Sequence, residues 1–171
     1  MNTQQNHAFF YSLKEFDIGS VLKPIKHLSE EGTQKSKLEE ALEITRLCEY
    51  KTYPSRLRCI FVASTEESAN EWFKSIKAPS QKFSTLEYHY YVYELVTHEN
   101  IYWFNADILH EIVYKLYKGL DEIAKDYWDS CVIENPNHKD CKMEGIVKGE
   151  MEILKKKRML LDKDRVYKEI I

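Results

Sequence analysis

The stretch RLRCIFVASTEESANEWFKSI, residues 56–76, decides the fold class. Its first half, Arg56–Ala63, carries Cys59, Ile60, Phe61 and Val62 as a continuous apolar run of the kind buried on both faces of a sheet. Ser64 ends that strand. With Glu67 three residues on, it makes a capping-box signature. Behind it Ala69, Trp72, Phe73 and Ile76 recur at i, i+3, i+4 and i+7, which is one face of a helix. Ala78-Pro79 closes the helix. A buried strand running directly into a capped amphipathic helix is the mark of a mixed α and β core.

Working outward, Ala8–Leu13 (AFFYSL) is a short aromatic strand, and Lys14–Pro24, with Gly19, is a loop. His27–Lys35 is a polar, mobile segment. Ser36–Tyr50 places Leu38, Ala41, Leu42, Thr45 and Cys48 at helical spacing. Leu86–Val96 (LEYHYYVYELV) alternates as a strand, with Tyr88, Tyr90, Val92 and Glu94 on one side and His89, Tyr91, Tyr93 and Leu95 on the other. His98-Glu99-Asn100 suits a hairpin or sharp bend into a second strand, Ile101–Phe104. Ala106–Trp128 reads as the longest helix, with Gly119 inside it. Cys131–Cys141 is a loop and Met143–Leu154 gives weak signals. Arg158–Ile171 reads as two short strands or a hairpin around Asp162–Asp164. The elements mix without strict βαβ alternation. One α+β domain over residues 1–171 is the expectation.

With 171 residues, 43% hydrophobic and 31% charged, the chain is long enough for one core. Its 5 Gly form no G-x-G-x-x-G and no P-loop, against a Rossmann or P-loop nucleotide site. A net charge of −3 argues against nucleic-acid binding by bulk charge. Lys155, Lys156, Lys157 and Arg158 form either a local basic patch or a solvated loop or helix end. Met1–His7 lacks an apolar signal core and no run reaches a membrane-spanning length, so a cytoplasmic protein with reduced cysteines and no membrane partner is expected. Cys59 is read as a small core residue. Cys131, His138 and Cys141 offer no C-x-x-C pair and no clear fourth ligand, so no metal site is expected.

No G-x-S-x-G elbow or H-E-x-x-H occurs, and six histidines are scattered singly. The chemistry-bearing residues are distributed: Tyr11-Ser12, Arg56 and Arg58, Ser64, and the pair Glu150 and Glu152. In an extended segment Glu150 and Glu152 face the same side. Two such carboxylates form an exposed charged edge or a helix start, or else meet a cation or ligand.

The succession Phe10-Tyr11-Ser12, Cys59–Ser64, Glu66–Trp72, Tyr90–Leu95 and Glu152-Ile-Leu154 resembles, in order, ADP-ribosyltransferase-like domains of the rifampicin-modifying and DNA-modifying toxin kinds. The resemblance implies small mixed or antiparallel sheets with flanking helices, and NAD as substrate. It implies a catalytic carboxylate at Glu152, with Glu150 as an accessory group or as the acidic residue itself. Arg58 or Arg56 would neutralise the pyrophosphate by bidentate hydrogen bonds. Tyr11-Ser12-Leu13 stands where His-Gly-Thr is often found in that family. Tyr11, with Ser12 beside it, would then hold the nicotinamide amide or stack on its ring. Ser64 would contact the ribose or cap its helix. The acceptor is an unidentified protein, nucleic acid or small molecule, and such domains often serve as toxins or in phage defence. The alternative is a catalytically inactive binding module on the same fold, acting through an aromatic surface. The chain's twelve tyrosines and the departure from His-Gly-Thr favour that alternative.

Overall fold

The strand that opens the reading is present as β4, whose place becomes clear once the other elements are set in order. The computed structural model describes residues 5–27, 31–76, 87–109, 119–134, 136 and 142–171. In chain order its elements are β1 (Asn6–Ser12), β2 (Val21–Leu22), β3 (Ile25–Lys26), α1 (Gln34–Glu49), β4 (Arg58–Ala63), α2 (Glu66–Ile76) and β5 (Tyr88–Thr97). There follow β6 (Tyr102–Asn105), a 3₁₀ turn (Ala106–Leu109), α3 (Leu120–Asp129), β7 (Met143–Val147), β8 (Met151–Leu161) and β9 (Tyr167–Glu169). The fold class is α+β, and the strand pairs are antiparallel.

The chain divides into two compact units that interleave in sequence. The first comprises Met1–Leu22, Val62–His98 and Met151–Ile171. The second comprises Lys23–Phe61 and Glu99–Glu150, so β4 gives its first four residues to the second unit and its last two to the first.

In the first unit β8 pairs with β2, β5 and β9, and β5 pairs in turn with β1. The end of β4 joins β1 through Phe9 and Ala63. The expected alternation of β5 holds. Tyr90 and Val92 face α2, where Ala69 and Phe73 of the helix join Met159 and Leu161 of β8 in one core. Phe73 lies flat on Tyr90 with ring centroids 3.9 Å apart, the offset-stacked contact that aromatic pairs favour. Tyr93 and Leu95, on the other side, are also fully buried. The loop after β1 turns through Gly19, whose φ of 83° suits glycine. Its N–H donates to the Ile153 carbonyl at 2.9 Å, which ties the loop to β8.

In the second unit Leu38 and Leu42 of α1 pack with Cys59, Phe104 and Ile146 and with Ile123, Ala124, Tyr127 and Trp128 of α3. The Trp128 indole N–H reaches the Leu42 carbonyl at 2.9 Å and satisfies the one polar atom of that buried ring. Thr33 caps α1 through its hydroxyl, which accepts from the Ser36 N–H at 3.1 Å.

Three expectations are corrected. The cap of α2 is Thr65, not Ser64: the Thr65 hydroxyl accepts from the Ser68 N–H at 3.0 Å. Gly119 is not inside a helix but the extended N-cap residue of α3, since a residue without a side chain readily breaks a helical run. Of the two alternatives offered for His98-Glu99-Asn100 the bend is the one present, at His98-Glu99, while β6 pairs with β7. Lys155–Arg158 is neither loop nor helix end but the middle of β8. Asp162–Asp164 does turn a hairpin, between β8 and β9. Leu28–Glu30, His138 and Cys141 lie outside the described residues. Among the described residues no helix is long and apolar enough to cross a membrane.

Candidate functional site

Glu152 is an exposed carboxylate between two fully buried neighbours, Met151 and Ile153. Its strand is held on both sides, with Glu152 opposite Val21 of β2 and opposite Val96 of β5. Pairing on both edges fixes the backbone, so the carboxylate projects from a rigid support. Val96 is itself opposite His7 of β1. His7, Val96 and Glu152 therefore stand abreast on one face, and the backbones of His7 and Glu152 are about 10 Å apart across two strand spacings.

A bulge in β8 sets what else shares that face. The register shifts between Glu94 and Leu95, which oppose Lys155 and Ile153, so Leu154 is the extra residue. Without it, strict alternation would turn Lys155 away from Glu152. With it, Glu152 and Lys155 lie on one side together with Glu94 and His7. The Glu94 carboxylate is doubly held: Lys155 Nζ donates to Oε2 at 2.7 Å, and His7 Nδ1 meets Oε1 at 3.1 Å. The Lys155 hydrogen bond, with that of His7 and against the cost of burial, holds Glu94 below the usual carboxylate range. An ionised carboxylate only accepts, so the hydrogen of the His7 ring sits on Nδ1.

Of the residues singled out in the sequence, Tyr11, Ser12, Ser64 and Glu152 belong to the first unit, and Arg56, Arg58 and Glu150 to the second. Tyr11 is half-buried, its ring edge-on to Phe73 at 5.6 Å between centroids, and burial raises its hydroxyl pKa. It lies on the same face as Glu152 but four residues along β1 from His7. That separates the two backbones by about 16 Å, from about 3.3 Å per residue and about 4.8 Å per strand. Ser12 faces the opposite side, and its hydroxyl accepts from the Lys14 N–H at 2.9 Å. Ser64 is buried, 7% exposed, at the exit of β4. Arg58 is exposed, opposite Lys26. Glu150 is exposed in the bend before β8, with Lys23 at 3.3 Å.

Arg56 turns inward. Its Nε and Nη2 donate to the two oxygens of Glu39, both at 3.1 Å, and Nη1 donates to the Tyr127 hydroxyl at 2.7 Å and to Glu144. Tyr127 in turn donates to Glu144 at 2.6 Å. The guanidinium carbon lies 4.9 Å from the ring centroids of Phe61 and Tyr127. Burial opposes the charge of Arg56, but Tyr127 and Glu39 hold its proton more tightly than usual. Nearby, burial pushes the Cys59 thiol up to about 12, which leaves it unreactive as a nucleophile.

Sequence reasoning left out His7 and Glu94. The signal that finds them is the register of β1, β5 and β8, which aligns residues far apart in the chain. No group of three or more metal-ligating side chains is assembled among the described residues. Residues 2–159 match the model of a family described as "Protein of unknown function (DUF2441)", and the chain belongs to that family. No curated protein matches the chain.

Proposed function

We propose that this DUF2441 member is an ADP-ribosyltransferase-like protein that takes NAD as substrate in the cytoplasm, with Glu152 as its catalytic carboxylate. The observation that carries the reading is the setting of Glu152: exposed, on a strand paired along both edges, and flanked by core residues. Cleavage of NAD at the nicotinamide ribose develops positive charge on C1′ and the ring oxygen. A fixed carboxylate stabilises that charge without having to reorganise during the reaction. The bond from C1′ to the nicotinamide nitrogen breaks with its electron pair on nicotinamide. The acceptor forms the new bond to C1′ and loses its proton. The resemblance in the order of motifs supports the same reading.

NAD at a hundred times its dissociation constant is expected to stabilise the native protein by about 2.7 kcal/mol in a thermal-shift titration. Nicotinamide release should accompany it. Glu152→Gln should abolish release and leave the melting temperature unchanged. A wild-type protein with neither a thermal shift nor release overturns the proposal. Binding without release points instead to an inactive binding module.

A further inference from the structure

We infer that His7, oriented by Glu94, takes the proton from the acceptor as the new bond to ADP-ribose forms. This deepens the transferase reading and rests on it. Four observations carry the inference. The His7 side chain is 47% exposed, so its ring can meet a substrate. Its Nδ1 is engaged by Glu94 at 3.1 Å, which leaves the Nε2 lone pair free to accept a proton. Glu94 is itself fixed by Lys155 at 2.7 Å, so the carboxylate that orients the imidazole is anchored. Finally, the Leu154 bulge and the register place Glu152 on the same face as His7, two strands away.

The arrangement divides the labour. Glu152 faces the charge that develops at C1′. His7 serves the incoming nucleophile from the far side of Val96. As the nucleophile bonds to C1′ and nicotinamide departs with the electron pair of the broken bond, the proton on the nucleophile passes to Nε2. The resulting imidazolium is stabilised by Glu94, as carboxylates stabilise such ions in hydrolase triads. The charged groups on the strands around His7 are Glu94 on β5, and Lys155 and Glu152 on β8. Glu66, on the helix over the same sheet, is engaged by Lys157 at 2.9 Å.

A base of this kind is needed only for an acceptor that carries a proton at neutral pH. The acceptor class is therefore a hydroxyl or a neutral N–H group, and not a carboxylate that is already ionised. Water is the simplest member of that class.

The test is nicotinamide release from NAD to water between pH 5 and 9, with wild type, His7→Gln and Glu94→Gln, each checked for an unchanged thermal transition. Wild type is expected to lose rate on the acid side, as a reaction that needs a free base does. His7→Gln should lose that limb and about a hundredfold in rate, within the range of general-base catalysis. Glu94→Gln, which removes the charge that stabilises the imidazolium, should lower the rate as well. Azide, a nucleophile with no proton to lose, should restore release by His7→Gln and leave Glu152→Gln inactive. An active wild type with an unaffected His7→Gln, or no rescue by azide, overturns this inference and leaves the transferase reading standing. An inactive wild type overturns both.

Discussion

Arg56 sets one positive charge against two carboxylates, Glu39 and Glu144, in a place where water scarcely reaches. Taking the arginine away leaves the buried Glu144, beside the Tyr127 hydroxyl, and the half-buried Glu39 without their cation. Arg56→Leu is therefore expected to cost about 3–5 kcal/mol, the usual effect of breaking a buried ion pair from one side, read as a drop in the urea unfolding midpoint. An undiminished midpoint would mean that the carboxylates find solvent or protons. The sequence made Arg56 legible only as a cation able to meet a phosphate. Its partners lie 17 and 88 positions away, and no local pattern points to them. The cap of α2 shows the same limit at closer range. Ser64 and Thr65 are both good capping residues, and the choice falls to where the strand ends. Pairing of Ala63 with Phe9 holds the strand to its last residue, the chain bends at Ser64, and Thr65 takes the cap.

β8 is the element on which most depends and the one least visible beforehand. β5 announces itself as a ten-residue strand rich in aromatic and β-branched residues, and its two faces both pack against protein. β8 carries four consecutive basic residues in its centre, which reads as solvated charge. The charges are accommodated on both faces: Lys155 with Glu94, Lys157 with Glu66, and Lys156 with Glu15. The bulge at Leu154 then breaks the two-residue period beyond Glu152, while Glu150 lies before the strand begins. Deleting Leu154 removes the extra residue, and the Leu95–Ile153 and Glu94–Lys155 pairs then fall into one register. Every side chain of β8 keeps its face and Lys155 stays opposite Glu94, so nicotinamide release is expected to persist in the deletion variant. Release lost to the level of Glu152→Gln would place the bulged backbone itself in the mechanism.

For the molecule as a whole, the α+β class was readable because the two strongest signals, the aromatic and β-branched run of β5 and the apolar face of α2, are local. The division into two interleaved units was not, because contacts between distant segments decide it. The charge balance predicts how stability follows pH. Glu15, Glu43, Glu94 and Asp162 all have lowered pKa values in the folded chain, so unfolding takes up protons in the carboxylate range. Their contribution is present above about pH 4–5 and is lost as pH falls through the folded values. Lys125, Lys156, Lys157 and Lys168 have raised values, and their contribution is full below about pH 10 and lost as pH rises further. Urea midpoints measured from pH 3 to 11 should form a plateau that falls at both ends. A midpoint that rises on acidification below pH 4 would refute the assignment. The interleaving of the units has a consequence for how the chain is made. The first unit needs residues 151–161 to complete its sheet, because β8 is the partner of β2, β5 and β9 alike. On the ribosome, the aromatic strand β5 therefore emerges well before the strand that will cover its edge. The nascent chain must carry that open edge through the synthesis of more than fifty further residues, which makes the interval before β8 the period when a chaperone has most to protect.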